Sequence, residues 1–444
     1  MSSKITKYIL FILLVFIISL PLLQRLFPLI HLKELNGKYE MGLKPELSKE
    51  SWFSCDYQKQ YDKYFNDKIG FRPMLIRIHN QIYYSIFSTS ASENITLGKD
   101  GYIYETNYIN AYVGLDYIGD KEIKIKLDKL KKLQDTLRSL NKEIIIILAP
   151  SKASFSPEYI PDKFLIKPRK KTNYEEIAKQ ISKTNLSYID FSKWFRAMKV
   201  TSSYPLMNKN GMHWTRYGEV LAMDSLIKYV SNLTAINLPR IKYDSLIKSD
   251  YAKFTDDDIA QTMNLFYVKK DLKLVYPNVS IDSSKADKKK LRSLVIGDSF
   301  YWGMYYLGLS DKVFDRGEFW YYFNNMHPEE CRNRKNIPRY VALVDLKTEV
   351  NKFDVILLFQ TEPNLNNLGF GFIEKLYDSY FLSGKESENN LNRSKYYESL
   401  ISADKKWLNS VKEKAKKLNV PIEVAIHNDA VYMVEQEKKK GNEK

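Results

Sequence analysis

Two short stretches hold the residues best suited to chemistry. In NGMHWTRYG, residues 210–218, His213 stands beside Trp214 in a polar turn, and it is one of only five histidines in 444 residues. In LVIGDSFYWG, residues 294–303, an apolar run ends in Gly297-Asp298-Ser299. A serine hydroxyl attacks an ester carbonyl only when a neighbouring base takes its proton, and imidazole titrates in the range that suits this task near neutral pH. A glycine ahead of the serine permits a tight turn, and a helix starting there offers backbone N–H groups to a developing oxyanion. Each stretch also has a plainer account: Asp298 or Ser299 as a helix cap, and His213 as a structural histidine beside a core tryptophan.

Those residues need a scaffold, and the hydrophobic pattern supplies one. Ile123, Leu127, Leu130, Leu133, Leu137 and Leu140 recur at helical spacing, and the apolar run 143–150 follows as a buried strand. Further rounds pair a helix at 174–183 with the strand LSYID, and a helix at 401–419 with a strand at 421–427. Strands are also predicted at 291–297 and 353–359. Apolar strands alternating with amphipathic helices imply an α/β fold with a mostly parallel sheet covered on both faces. In such sheets the ligand crevice lies at the carboxyl ends of the strands. Each expected strand ends there in a polar cluster: Ser151-Lys152, Asp298-Ser299, residues 360–364, and His427 with Asp429. Glu362 and Asn364 should therefore face the crevice, Asn364 either as an amide donor to an oxyanion or as the residue that closes a turn. Lys152 is either a contact for an acid group or a solvated lysine. His427 with Asp429 offers a second His–Asp couple. Upstream, residues 51–88 read as amphipathic helices broken near Gly70, with Arg72 as a cap or ion-pair partner, and GKDGYIYE (98–105) as a turn entering a strand.

Lys4 and Lys7 precede a continuous apolar run of about sixteen residues, 8–23, with no small-residue cleavage site after it. The pattern predicts an uncleaved signal anchor with the main domain outside the cytoplasm. A cleaved signal peptide would export the chain as well. Lys plus Arg outnumber Asp plus Glu by 69 to 53, a net charge of +16. The lysines are scattered rather than gathered into a stripe with aromatic partners, which argues against nucleic acid as a partner. With two cysteines, Cys55 and Cys331, no zinc-finger spacing is available, and the spacing leaves their pairing open. No metal or nucleotide cofactor is implied, and no glycine-rich phosphate loop occurs.

Taken in order, GKDGYIYE, APSK with a downstream PEYIP, HWTRYG and VIGDSF form a set more specific than any member. That set resembles the SGNH-hydrolase-like alginate O-acetyltransferase family of the AlgJ and AlgX type, over roughly residues 50 to 380. The resemblance implies an SGNH-like three-layer α/β/α domain in circularly permuted order, with the histidine ahead of the serine. It implies work outside the cytoplasmic membrane on a secreted or cell-wall polysaccharide, alongside a membrane-bound O-acyltransferase that delivers the acetyl group. Ser299 would carry the acyl group and His213 would activate it, with Asp298, Asn364 and Lys152 near the oxyanion or substrate. One position departs from the family, which carries an aspartate two residues before the histidine. Here that residue is Gly211, and the one before it is Asn210. Three arrangements remain open: a carboxylate from elsewhere (Glu219 or Glu362) takes the role, Asn210 holds the imidazole neutrally, or the site binds glycan without turning it over.

The expected organisation is a signal anchor at 1–27, a tether with amphipathic helices at 28–95, the SGNH-like domain at 96–430, and a charged disordered tail at 431–444. The expected function is transfer of acetyl groups to a polysaccharide. The alternatives are a non-catalytic glycan-binding or scaffold subunit and a carbohydrate acetylesterase. Tyr301, Trp302, Tyr305, Tyr306, Trp320 and Tyr321 are candidates to stack on sugar rings, against core packing for at least half of them.

Overall fold

A computed structural model describes residues 3–37, 41–269, 273–328, 339–382 and 384–442. Cys331 lies outside them; Cys55 is an exposed free thiol. The chain forms two compact units, the first comprising residues 1–106, 208–212 and 252–271, the second the remainder.

The first unit begins with a helix, Ser3–Leu26, whose apolar side chains are exposed along its length. Its 23-residue stretch Lys4–Leu26 contains an 18-residue window with a mean hydropathy of 2.4. At 1.5 Å per residue that stretch is about 35 Å long, enough to cross a hydrocarbon core of roughly 30 Å. The helix outruns the sixteen-residue apolar core because Lys4, Lys7, Gln24 and Arg25 continue it at both ends. Two amphipathic helices, Asp56–Asp67 and Arg72–Ser85, break where Phe71 adopts a left-handed backbone. Arg72 is an ion-pair partner: its Nη2 lies 3.3 Å from the buried Asp67 carboxylate. GKDGYIYE forms the turn between β1 (Ile95–Leu97) and β2 (Ile103–Glu105), an antiparallel pair.

The second unit holds the main sheet. Its strands are β3 (Glu143–Ala149), β4 (Tyr188–Asp190), β7 (Ser293–Gly297), β8 (Glu318–Tyr321), β9 (Asn325–Pro328), β10 (Arg339–Tyr340) and β11 (Val355–Thr361), in the order β10-β9-β8-β7-β11-β3-β4. From β8 to β4 the neighbours run parallel, and β9 and β10 add an antiparallel edge. β5 (Arg240–Ser249) and β6 (Leu274–Asp282) form a separate antiparallel ladder. The central strands are buried on both faces, as continuous apolar runs in a covered parallel sheet must be. Ile144, Ile146, Leu148, Leu294, Ile296, Trp320, Ile356 and Leu358 pack under the helices Asp120–Ser139, Asn173–Ile181 and Phe372–Phe381. The alternate positions turn to the opposite face, where Phe359 and Phe319 meet Trp214, Tyr301, Trp302 and Tyr305. The domain is therefore the three-layer α/β/α arrangement with a mostly parallel sheet, and β7 and β11 lie at its centre.

Two expectations fail at the carboxyl end. Residues 421–427 do not form a strand, and 431–442 are not disordered: Ile422–Asn442 is one helix. PIEVAIH alternates over seven residues, too short a window to separate strand from helix. The longer pattern decides it, with Val424, Ala425, Ala430 and Val434 all buried. Ala425 and Ala430 pack with Ile401, Val411 and Ala415, from the helices Gly384–Ala403 and Lys405–Leu418. Glu437 accepts from Arg393 Nε at 2.7 Å, fixing the last turns. His427 consequently sits on a helix with its Nδ1 2.7 Å from Glu398 Oε1, so the His427–Asp429 couple does not end a strand. Placing a charge in this packed seam, Ala430→Asp, is expected to destabilise the protein by about 2–4 kcal/mol, read as a lower Tm. A disposable tail would leave Tm unchanged.

Candidate active site

Ser299 begins the turn that leaves the carboxyl end of β7, a 3-10 segment Ser299–Tyr301 continued by the short helix Trp302–Leu307. His213 arrives from the other side of the fold's sequence, two residues before Thr215. Thr215 caps the helix Arg216–Thr234 by accepting from Gly218 N, while its hydroxyl donates to Pro205 O at 2.7 Å. Trp214 anchors this approach: its indole lies among Phe191, Phe195, Phe300 and Phe359. The His213 ring packs on Phe300 with centroids 4.6 Å apart, and its Nε2 lies 2.9 Å from Ser299 Oγ. A partly exposed hydroxyl thus faces a buried imidazole at hydrogen-bond distance.

Asp298 holds the serine's loop. Its carboxylate, almost wholly buried, accepts from Phe300 N at 3.1 Å, Thr361 N at 2.8 Å, Thr361 Oγ1 at 2.7 Å and Asn364 Nδ2 at 2.8 Å. Charge-assisted bonds of this kind are among the stronger ones in proteins, and here they tie the end of β7 to the end of β11. Asn364 also donates to Thr361 Oγ1 at 3.1 Å, so its amide braces Asp298 rather than pointing to an oxyanion. Asp298 is likewise a clamp, not a substrate contact. Gln360, buried at the end of β11, fastens the same loop through Asn364 O, Asn367 O and Gly369 N. Thr361 was not singled out by sequence, although it sits in the polar cluster 360–364 that was.

The three expected acid substitutes separate. Glu362 is drawn toward β3 and β4: it accepts from Ser154, from Ser192 Oγ at 2.7 Å, and pairs with Arg196 at 3.4 Å. Burial raises its carboxyl above the usual range, opposed by those hydrogen bonds. Asn210 belongs to the first unit, where its Nδ2 donates to Lys269 O at 3.0 Å. Glu219 is the one brought near the imidazole. It is fully buried on the first turn of Arg216–Thr234, pairs with Arg216 Nη1 at 2.6 Å, is hydrogen-bonded by the Trp214 side chain, and interacts electrostatically with His213. Burial raises its carboxyl, while Arg216 and then His213 favour the ion. Its Oε1 fills the space beside Gly303, where a Cβ would lie only 1.6 Å away. Lys152 is fully buried at the start of the short helix Lys152–Phe155 after β3, not solvated.

Residues 95–274 match the family model of the SGNH hydrolase-like domain of acetyltransferase AlgX. That stretch is similar to an AlgX-type SGNH hydrolase-like domain. The matched segment contains His213 and ends before Ser299, and the 2.9 Å contact is what brings the two together. Among solved structures, the chain is similar to the O-acetyltransferase domain of Pseudomonas putida AlgJ, with 15% identity, TM-score 0.40, and coverage of 64% of this chain and 99% of that one. It is also similar to Bacillus cereus PatB1, with 14% identity, TM-score 0.39 and coverage of 62% and 97%. For Pseudomonas aeruginosa AlgX the values are 12%, 0.38, 67% and 70%. No curated protein matches the sequence.

The glycine that replaces the expected aspartate is sterically required. A Cβ on Gly211 would lie 2.6 Å from the carbonyl oxygen of Asp256, a backbone atom with little freedom to yield. Gly211→Asp is therefore expected to lose about 1–3 kcal/mol of stability and to raise no activity, measured by thermal melts and ester turnover. Asp298→Ala, which strands the Thr361 and Asn364 donors, should cost roughly 2–4 kcal/mol and abolish turnover.

Proposed function

We propose that the protein is an extracytoplasmic O-acetyltransferase that modifies a polysaccharide through an acetyl ester on Ser299. The observation that carries this reading is His213 Nε2 at 2.9 Å from Ser299 Oγ. In the first half-reaction His213 takes the Ser299 proton as Oγ attacks the donor's acyl carbon. The donor's leaving group departs with that proton. In the second, His213 takes the proton of a sugar hydroxyl, the hydroxyl oxygen attacks the acetyl carbon, and the proton returns to Ser299 Oγ. Asp298 caps Phe300 N–H and not that of Ser299, which leaves the Ser299 amide to donate to the oxyanion. Glu219 supplies the negative charge that the family places two residues before the histidine. As an ion pair with Arg216 beside Trp214, it favours the imidazolium formed in each half-reaction.

The apolar helix Ser3–Leu26 serves as the membrane anchor, with Lys4 and Lys7 on the cytoplasmic side. The donor is a membrane-bound O-acyltransferase and the acceptor a polysaccharide, whose anionic character would suit the net charge of +16.

A chromogenic acetyl ester tests the site. Ser299→Ala is expected to reduce turnover to background, and His213→Ala to reduce kcat by about a thousandfold or more. Wild-type turnover equal to that of Ser299→Ala would sink the enzyme reading. For Glu219→Gln the expectation is a fall in kcat of about ten- to a hundredfold, with the acid limb of the kcat/KM profile moving to lower pH. The sign follows from charge: without the carboxylate, protonating the base becomes harder, so activity persists further into acid. A lower kcat with an unmoved limb would make Glu219 merely structural.

A further inference from the structure

The six aromatic candidates around the nucleophile divide cleanly. Tyr301, Tyr305 and Trp320 are buried core, each with its polar end satisfied, by Ser310 Oγ, Pro328 O and Glu318 Oε2 respectively. Trp302 and Tyr321 are half-buried and Tyr306 is exposed, and they continue into two rings that sequence had not marked, Tyr322 and Phe370. Ring contacts run unbroken through the five: Tyr306 stacks on Trp302 at 5.7 Å, Trp302 meets Tyr321 at 5.4 Å, Tyr321 meets Tyr322 at 4.6 Å, and Tyr322 meets Phe370 at 5.0 Å. Tyr306 is 52% exposed and Tyr322 40%.

This ribbon is assembled from the segments that leave β7, β8 and β11, three adjacent strands with the serine's strand in the middle. Trp302 follows Ser299 by three residues, and Tyr322 N donates to the carbonyl of Gly297, just before the serine's loop. The backbone is strained where the rings meet. Tyr322 has φ +49°, Phe323 +52° and Phe370 +54°, all left-handed in bulky residues. Each costs about 1–2 kcal/mol, a strain that proteins retain chiefly where the resulting placement is used. Core packing accounts for Phe323, which is buried, and in part for Phe370, which is half-buried against the core, but not for Tyr322, whose ring stands at the surface at the end of β8.

We propose that Tyr306, Trp302, Tyr321, Tyr322 and Phe370 form the acceptor subsite, on which pyranose rings of a glycan stack while one sugar hydroxyl is presented to the acyl group on Ser299. The inference rests on Ser299 as the acyl carrier. A pyranose offers an apolar C–H face rimmed by hydroxyls, and flat rings with polar edges complement it at little entropic cost. The ribbon's continuity with the serine selects a sugar chain over a lipid surface, which would have no reason to meet the nucleophile. Among the pyranose polymers the stacking contact is tolerant, so several backbones should be held, with the reacting hydroxyl selecting among them.

The test measures binding to the full-length protein in detergent, with Ser299→Ala as parent to prevent turnover. The probes are cellohexaose, chitohexaose and hexamannuronate, read by calorimetry and by the fluorescence of the tryptophans. At least one probe should bind the parent. Tyr306→Ala and Tyr322→Ala should each weaken that binding by about tenfold or more with Tm retained, whereas Tyr243→Ala, an exposed tyrosine on β5, should not. No binding by any probe, or equal binding by the tyrosine variants and the parent, would overturn the subsite. So would loss of vesicle association in those variants in place of loss of glycan binding. Ester turnover by the wild type is scored separately: if it is absent while ribbon-dependent binding persists, the enzyme reading fails and the subsite stands.

Discussion

The buried carboxylate of Asp298 sets the geometry on which the site depends. It gathers donors from its own turn and from the end of β11, so the two central strands finish in one rigid knot. A carboxylate this deep is tolerable only when its oxygens are satisfied, and four donors satisfy them. The knot determines where Ser299 emerges, and it consumes the Asn364 amide that might otherwise have served the oxyanion. Removing the serine's neighbour would therefore harm the serine more than many changes nearer the substrate.

The second support is apolar. Trp214 sits in an aromatic pocket shared by Phe300, next to Ser299, and Phe359, on β11. His213 is thereby carried to Ser299 by the packing of its own neighbour. Side-chain alternation along β7, β8 and β11 makes this possible, since one set of residues serves the aliphatic core under Asp120–Ser139 and the other meets the aromatic layer. Close packing of this kind moves little, and a general base must hold its place within tenths of an ångström. Glu219 extends the same logic, occupying the gap that Gly303 leaves open and pairing there with Arg216.

Much of this was legible in the residues. The runs 143–150, 291–297 and 353–359 are so uniformly apolar that only buried strands suit them, and the polar clusters after them located the crevice. Ser299 stood out because it follows Gly297-Asp298 at the end of an apolar run, and His213 because only five histidines occur in the chain and this one lies in a motif with a fixed place in the order. Glu219 and Glu362 could both be named as candidate carboxylates but not told apart, because what separates them is the packing of a helix turn rather than spacing from the histidine. The helix Ile422–Asn442 was misread because seven alternating residues satisfy both periods. Tyr322 and Phe370 escaped notice because a left-handed backbone in an aromatic residue leaves no mark in sequence, unlike a glycine. Asn364 looked like an oxyanion donor because its type and place were right, while its commitment to Asp298 depends on an 2.8 Å approach across strands.

The central claim is that Ser299 carries the acyl group and that His213 puts it there. The most direct measurement is peptide mass spectrometry of the full-length protein after brief exposure to an activated acetyl ester and acid quench. The account predicts one added acetyl group on the peptide containing Ser299, formed far more slowly in His213→Ala and absent in Ser299→Ala. Acetylation spread over lysines with Ser299 unmodified, or a Ser299 adduct that forms at the same rate without His213, would contradict it.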